Sequence, residues 1–482
     1  MCKSLIHYLC GAMSLNFSKH LTHPVFKVIS ELVTEKDLEA FVIGGYVRDL
    51  ILERASKDID IVVVGSGLEL AKDCATKLRV KKVSVFKSFG TAHFVYKDIN
   101  VEIVGARKES YRSDSRKPIV EDGTLKNDQD RRDFTINSLA LSLHKDNYGA
   151  LIDPFGGMTD LQDGVLRTPL EPKQTYSDDP LRMMRAIRFA AQLDFNIEYE
   201  SLEAIGKNAA RLDIVSMERI MEEFNKIIMS NTPSRGLYLL YSTKLLHRFF
   251  PEMIELYGVE TQNGKSHKDN FHHTLKVLDN ICQTTDNLWL RWAAILHDIA
   301  KPATKRFDEI AGWTFHGHED LGSRMVPKIF KRLRLPLDAK MNYVKKMVRL
   351  HLRPIALIKG FVTDSAVRRL LLEAGDDIDD LMLLCNADIT SKNEAKVKQY
   401  KKNFLVVKEK LLMVEEKDRL RNFQPPVSGQ EIMDTFGIGP SQEIGDIKSK
   451  IKEAILEGEI QNNREEAISY MLKIAKKMGL KQ

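Results

Sequence analysis

The sequence predicts an α+β protein, with a small mixed sheet near the amino terminus and helices over the remaining two thirds. Between residues 41 and 104, short runs rich in β-branched and aromatic residues stand between stretches with helical signals. After Asp178 the apolar period becomes helical and stays so almost to the end, broken at Pro251, Pro302, Pro336, Pro354 and the Pro425-Pro426 pair. The length, 482 residues, exceeds the roughly 250 to 300 that a single core sustains, so several modules are expected.

Taken in order, the strand signals fall at Ala40–Ile43 and at 58–64, 82–86, 92–96 and 101–104. Residues 108–130 are polar, charged and nearly free of apolar periodicity, which predicts a long functional loop. Asp153-Pro154-Phe155-Gly156-Gly157 punctuates the chain as a hinge would.

With 43% hydrophobic and 29% charged residues, the composition is that of a chain with a packed interior, which argues against disorder. The net charge of +6 suits a polyanionic partner without requiring one. Residues 391–411 hold seven lysines against two glutamates, with Tyr400 and Phe404 interleaved. That pattern serves an RNA contact or a solvated helix face equally well. The five cysteines (Cys2, Cys10, Cys74, Cys282, Cys385) form no CxxC pair, so neither a disulfide framework nor a zinc ribbon is expected, and a reduced, cytoplasmic setting is. No run approaches the roughly 20 apolar residues of a membrane span, so no membrane partner is expected. The opening MCKSLIHYLCGAM makes a poor signal peptide, and Met13 offers an alternative start.

Asp58-Ile59-Asp60 opens the strongest strand signal. The two-residue period of a strand puts both carboxylates on one face while Ile59 and Ile61 point the other way. Adjacent hard oxygen ligands can hold magnesium ions, which activate an attacking hydroxyl and neutralise charge on a nucleoside triphosphate. Upstream, Gly44 and Gly45 let backbone amides approach phosphates, and Arg48 adds charge-assisted bonds. Glu102, polar within an apolar Val-Glu-Ile-Val run, offers a third carboxylate to the same metals.

GGYVRD followed by DIDIVVVG, FGTAHF, RRDFTINSLA, DPFGG, DDPLRMMRAIRF and RLDIVSMERIMEE resembles the bacterial class of CCA-adding enzymes and their poly(A) polymerase relatives. The resemblance implies a nucleotidyltransferase head similar to that of DNA polymerase beta, followed by an all-α neck, body and tail. It implies an N-terminal extension over 1–26, a head over 27–155, a helical neck over 156–235, a metal-binding helical domain over 236–395 and a tRNA-binding tail over 396–482. Carried onto this chain, it makes Asp58 and Asp60 magnesium ligands, Gly45 and Arg48 triphosphate contacts, and Arg132, Asp133 and Asn137 the ribose-side group. Arg185 and Arg188 would face the nucleotide, and Asp179 with Arg182 would read the base, although Asp178 stands where the family usually has glutamate. The implied partners are tRNA, CTP and ATP.

Pro180 suits the first turn of a helix, which would put Asp179 and Arg182 three residues apart on one face. A carboxylate only accepts hydrogen bonds and a guanidinium only donates them. Cytosine and adenine share an amino donor beside a ring-nitrogen acceptor, whereas guanine and uracil present the reverse polarity.

A second constellation lies downstream in Phe271-His272-His273-Thr274-Leu275, Leu296-His297-Asp298-Ile299-Ala300-Lys301 and Asn386-Ala387-Asp388. An adjacent His-Asp pair beside the apolar face formed by Trp292, Ile295 and Leu296 calls for pairing or a metal. The set resembles the HD superfamily of metal-dependent phosphohydrolases, with His273, His297, Asp298 and Asp388 as ligands of a divalent transition metal and Ala300 where glycine is commoner. His316, His318 and His351 are candidates for a second metal. A degenerate HD domain kept as scaffold is the bland reading.

The favoured activity is template-independent addition of CMP, CMP and AMP to a tRNA 3′ end. Its rival within the family is a poly(A) polymerase, against which Phe86-Lys87-Ser88-Phe89-Gly90-Thr91-Ala92 speaks, because it lacks a Gly-Arg-Arg-Phe type run. The polar segment 108–130 matches the flexible loop used for the final adenosine and counts against a CC-only enzyme. A phosphohydrolase with an RNA-binding head is the reading from another class. Gly65-Ser66-Gly67 lacks the Gly-Lys-Ser/Thr of a Walker loop.

Overall fold

The computed structural model describes residues 15–86, 90–112, 115–359, 363–390, 394–418 and 426–480. Met13, Lys87 to Phe89, and 391–393 of the lysine-rich stretch lie outside the described residues. The chain divides into two compact units, Met1–Pro251 and Glu252–Gln482.

In the first unit a seven-stranded mixed sheet runs in the order Ser84–Phe86, Thr91–Tyr96, Ile99–Gly105, Asp58–Val63, Ala40–Ile43, Ala140–Ser142, Leu151–Ile152. Strand Asp58–Val63 is central because its apolar residues fit a surface covered on both sides: Ile59 and Ile61 are buried, and the burial is lost only at its acidic start. It pairs in parallel with Ile99–Gly105, placing Asp58 opposite Asn100 and Asp60 opposite Glu102. Helix Gly67–Lys77 packs so closely on this sheet that a Cβ at Gly67 would lie 2.5 Å from the backbone nitrogen of Gly105.

The long loop expected over 108–130 is instead ordered secondary structure. Strands Arg107–Arg112 and Ser115–Asp122 form an antiparallel ribbon, and helix Leu125–Asp130 follows. The ribbon escapes an apolar-alternation reading because its register sets opposite charges across from each other, Arg107 opposite Asp122 and Lys108 opposite Glu121. A reciprocal cap between Thr124 and Asn127 starts the helix. The DPFGG segment is also a cap and not merely a break, since the Asp153 carboxylate accepts from the amides of Gly157 (2.8 Å) and Met158 (2.9 Å). Strands Ala140–Ser142 and Leu151–Ile152 are too short to show a period; backbone pairing aligns them, and the first is buried along its whole length.

The unit also contains helix Pro24–Glu35 and, beyond the sheet, helices Pro172–Asp178, Leu181–Leu193, Tyr199–Asn208, Met217–Ile228 and Pro233–Ser242. Helix Leu181–Leu193 packs against Met217–Ile228 through buried Met183, Met184, Ile187 and Ala190. Pro180 caps that helix from outside it, and Asp179 ends the preceding helix in an extended conformation. Asp179 therefore stands just before the helix that carries Arg182 and not on it, and the Arg182 amide donates to its carbonyl at 3.0 Å. The double stop of a Pro and the residue before it splits what the period reads as one helix start.

The second unit is helical as expected, apart from the ribbons Thr261–Gln262 with Lys265–Ser266 and Arg306–Asp308 with Gly312–Thr314. Helices Asn270–Cys282, Leu288–Leu296, His318–Arg332, Ala339–Leu350 and Ile378–Asp388 surround buried Trp292, Ile295, Phe330 and Leu384. The His297-Asp298 pair sits in the turn that leaves helix Leu288–Leu296, one residue beyond where an amphipathic helix would hold it. Helices Gly429–Phe436, Gln442–Glu457 and Arg464–Lys477 share a smaller core around Ile432, Ile447, Ile451 and Met471. Among the described residues no helix is long and apolar enough to cross a membrane.

Candidate functional site: strand carboxylates and a histidine-aspartate centre

Asp58, Asp60 and Glu102 come together because two parallel strands start level with each other. The side chain of Asn100 donates to Asp58 Oδ1 at 2.8 Å and fixes the outer carboxylate. Burial pushes the Asp60 carboxyl up to about 6; Arg132 pulls against that rise, and the charges of Glu102 and Asp58 add to it. Three hard oxygen donors crowded at one sheet end, two of which add to the rise at Asp60, suit a divalent cation, so the residues fit a metal. Asn100, opposite Asp58 in the ladder, was not singled out by its sequence; only the strand register reveals it.

Gly44 turns the chain from strand Ala40–Ile43 into helix Gly45–Ile51. Its φ of +84° belongs to the region that glycine tolerates, and a Cβ there would lie 2.8 Å from Arg132 Nη1 and 3.6 Å from Asp60 Oδ2. Glycine is thus needed for the turn, and a side chain there would press on the end of Arg132 while meeting Asp60 at ordinary contact distance. Arg48 rises from that helix, pairs bidentately with Asp49 (2.9 and 2.8 Å) and donates to Asn137 Oδ1 at 2.8 Å. Arg132 bonds Asp128 and the carbonyl of Asn137.

Asp133 is buried and held from every side. Its Oδ1 accepts from the Phe134 amide and the Asn137 side chain, both at 2.9 Å, and its Oδ2 takes Arg185 Nε at 2.7 Å. Burial alone would push this carboxyl up, but Arg185 and Asn137 outweigh it and hold it well below the usual range. Arg188 pairs with buried Glu223 at 2.9 Å, and burial together with the Arg185 charge lowers it to about 10. Arg182 donates to the backbone carbonyls of Thr175 and Arg131, while Asp179 Oδ1 accepts the Leu181 amide at 3.2 Å. The three arginines predicted along one helix are therefore each anchored to a different partner.

In the second unit His273, His297 and Asp388 form one group of potential ligands and Asp298, His318 and His351 a second. His273 Nε2 lies 2.9 Å from Asp388 Oδ1, and His318 Nε2 lies 3.3 Å from Asp298 Oδ1. Asp298 touches both sets, since its Oδ2 is 3.2 Å from His297 Nε2 and 3.4 Å from His273 Nε2. His316 is exposed and stands outside both groups.

Every one of the four imidazoles is oriented by its other nitrogen. Nδ1 of His297, His318 and His351 meets the carbonyl of Ala294, Phe315 and Val348, each at 2.7 Å, and Nδ1 of His273 meets the Thr390 hydroxyl at 2.8 Å. This leaves the four Nε2 atoms converging on the carboxylates, which is how metal-binding histidines are oriented. His297 Nε2 is buried without an aligned hydrogen-bond partner, an orphan that a cation would satisfy. The donors fit a transition metal. Thr390 and Lys301, whose Nζ lies 2.6 Å from Asp298 Oδ2, were not identified from the sequence, although each is within three residues of a ligand. Beside His273 and Asp388 opens a cleft of 470 Å³ lined by Lys268, Lys301, Trp313 and Phe315, among others.

Acidic strand ends facing arginine-lined ground, with a His/Asp centre elsewhere on the same chain, define a nucleotidyltransferase that carries an HD domain. Residues 40–167 match the poly A polymerase head domain, 194–256 the probable RNA and SrmB-binding site of polymerase A, and 270–393 the HD domain. The chain is 31% identical to the A-adding tRNA nucleotidyltransferase of Deinococcus radiodurans over 350 residues, covering 71% of this chain and 77% of that protein. It is also 31% identical to the multifunctional CCA protein of Nitrosococcus oceani over 380 residues, 75% of this chain and 87% of that one. The Thermotoga maritima CCA-adding enzyme complexed with tRNA shares the fold, with a TM-score of 0.62 at 22% identity over 95% of this chain and 99% of the other. The chain belongs to the tRNA nucleotidyltransferase family.

Proposed function

We propose that this protein adds CMP, CMP and AMP from CTP and ATP to the 3′ end of tRNA without a nucleic-acid template. The observation that carries the reading is the parallel register setting Asp60 opposite Glu102, with Asp58 on the same face, beside Gly44 and Arg132. In the reaction the tRNA 3′-hydroxyl oxygen attacks the α-phosphorus. A new phosphodiester bond forms, the α–β bridging bond breaks, pyrophosphate leaves with the bond's electron pair, and the hydroxyl proton is lost. Magnesium, the ion we assign to Asp58, Asp60 and Glu102, would supply Lewis acidity and charge neutralisation.

The chain's own residues bind and orient. The Gly44-Gly45 turn lets the triphosphate approach the backbone, Arg48 meets its charge, and Arg132 stands on the ribose side. Asp133 and Asn137, bound to Arg185 and Arg48, hold those guanidinium groups and the ribose side. Asp179 accepts the amino group of cytosine or adenine, and Arg182 donates to the ring nitrogen. The carbonyls of Thr175 and Arg131 hold Arg182 ready for this role, and the Leu181 amide holds Asp179. We assign the chain to a reducing, cytoplasmic setting, supported by Cys74, Cys282 and Cys385, all free thiols.

The Deinococcus relative is named an A-adding tRNA nucleotidyltransferase, which makes an A-adding enzyme the second reading for this chain. The head and the segment after it match models named for poly A polymerase, which makes that enzyme a third reading, but the two relatives named above are named for A addition and for CCA. A second activity belongs to the HD centre: phosphoester hydrolysis, with 2′,3′-cyclic phosphates at damaged ends as substrates, supported by the four converging Nε2 atoms. The head assignment is tested by the Asp58→Ala, Asp60→Ala double variant. It should lose nucleotide addition while binding tRNA nearly as tightly as wild type, because phosphate contacts on basic surface dominate RNA affinity. Substantial residual addition would remove the carboxylates from the mechanism.

A further inference from the structure

Phe189, on helix Leu181–Leu193, is 6% exposed and carries no reactive group, yet three cations surround its ring. The guanidinium carbon of Arg188 lies 4.2 Å from the ring centroid, that of Arg48 4.9 Å and that of Arg185 5.5 Å. Two of them share its helix, and Arg48 comes from helix Gly45–Ile51. Phe134 meets the ring edge-on at 5.7 Å, which limits its tilt.

Each guanidinium is also anchored by a carboxylate: Arg48 by Asp49, Arg185 by Asp133 and Arg188 by Glu223. Each carboxylate engages the edge of its own guanidinium, bidentately in the case of Arg48, and ties that arginine to a separate partner. The aromatic ring adds the one contact the three share, because its negative face attracts cations. A ring has only two faces, so at least two of the three cations share one, and the ring is what offsets their mutual repulsion. No carboxylate among those named reaches all three arginines, and the ring does.

We propose that Phe189 is a positioning residue which sets Arg48, Arg185 and Arg188 as one surface for the triphosphate of the incoming nucleotide. This rests on the nucleotidyl-transfer reading above. A leucine would fill much of the volume but present no negative face, so the arginines would splay and nucleotide binding would weaken. The tRNA contacts would be untouched.

The test measures steady-state addition to tRNA and, separately, CTP binding to the intact chain by equilibrium dialysis, with Phe189→Leu and Phe189→Tyr. Phe189→Leu should raise KM for both CTP and ATP, and the dialysis Kd for CTP, by about tenfold, the scale of losing cation–π contacts in a partly desolvated site. KM for tRNA should hold within about twofold, and Phe189→Tyr, which keeps the ring, should stay near wild type in every readout. If the leucine variant fails to fold, Phe189→Met repeats the measurement with a flexible side chain. Unchanged nucleotide KM and Kd, a loss confined to kcat, a parallel loss in tRNA KM, or an equal defect in the tyrosine variant would each overturn the proposal. Failure of the underlying reading looks different: wild type would add nothing to tRNA, whatever the dialysis shows.

Discussion

Arg185, on helix Leu181–Leu193, and Asp133 form an ion pair at 2.7 Å, with the carboxylate buried and the guanidinium side chain about a third exposed. Removing one partner of such a pair leaves an uncompensated charge, so Asp133→Asn should cost about 2 to 4 kcal/mol of stability at neutral pH, discounted for the exposure of Arg185. The sign with pH follows from the depressed carboxyl. The folded carboxyl keeps its charge to lower pH than the unfolded one, so its stabilisation is complete above the unfolded value of about 4 and is lost as pH falls below it. Denaturant midpoints of both proteins between neutral and acid pH should therefore converge on acidification. A gap constant with pH would show that the asparagine perturbs packing instead.

Nucleotide choice should depend on Asp179 and Arg182 separately. An unpaired buried polar group costs about 1 to 3 kcal/mol, so each mismatched contact carries roughly one to two decades of discrimination. Asp179→Ala should erode rejection of UTP and GTP, and Arg182→Ala should weaken use of both CTP and ATP. Single-turnover addition with each of the four nucleotides is the measurement. If both variants kept wild-type rates and selectivity with all four, the base-reading role would be lost.

The HD centre should bind metal in a proton-coupled way. Burial disfavours charge on His297, but the Asp298 and Asp388 carboxylates outweigh it and push the imidazole up to about 10, so a cation must displace a proton there. Purified wild-type protein should carry a transition metal that is lost on acidification and absent from Asp298→Ala. Equal and negligible metal in both proteins would reduce the centre to a scaffold.

How much of this the sequence discloses depends on whether a residue acts through chemistry or through register. Asp58 and Asp60 draw notice in the sequence because two like charges open a strand of apolar residues, downstream of Gly44, Gly45 and Arg48. His273, His297, Asp298 and Asp388 stand out as well. Asn100 and Thr390 do not, since their importance comes from the atoms opposite them. The ribbon Arg107–Arg112 with Ser115–Asp122 reads as a loop because its sequence lacks apolar alternation, and only the register reveals that Arg107 stands opposite Asp122 and Lys108 opposite Glu121. Asp179 is legible as a residue but not as a position, because the break at Pro180 moves it off the helix that carries Arg182.

The most direct measurement incubates tRNA lacking its terminal CCA, and tRNA ending in CC, with CTP, ATP or both, and sequences the product ends. The expected result is CCA on the first substrate with both nucleotides, CC with CTP alone, and a single A on the second with ATP. Long adenosine tails, addition confined to the final A, or no addition to either tRNA would contradict it.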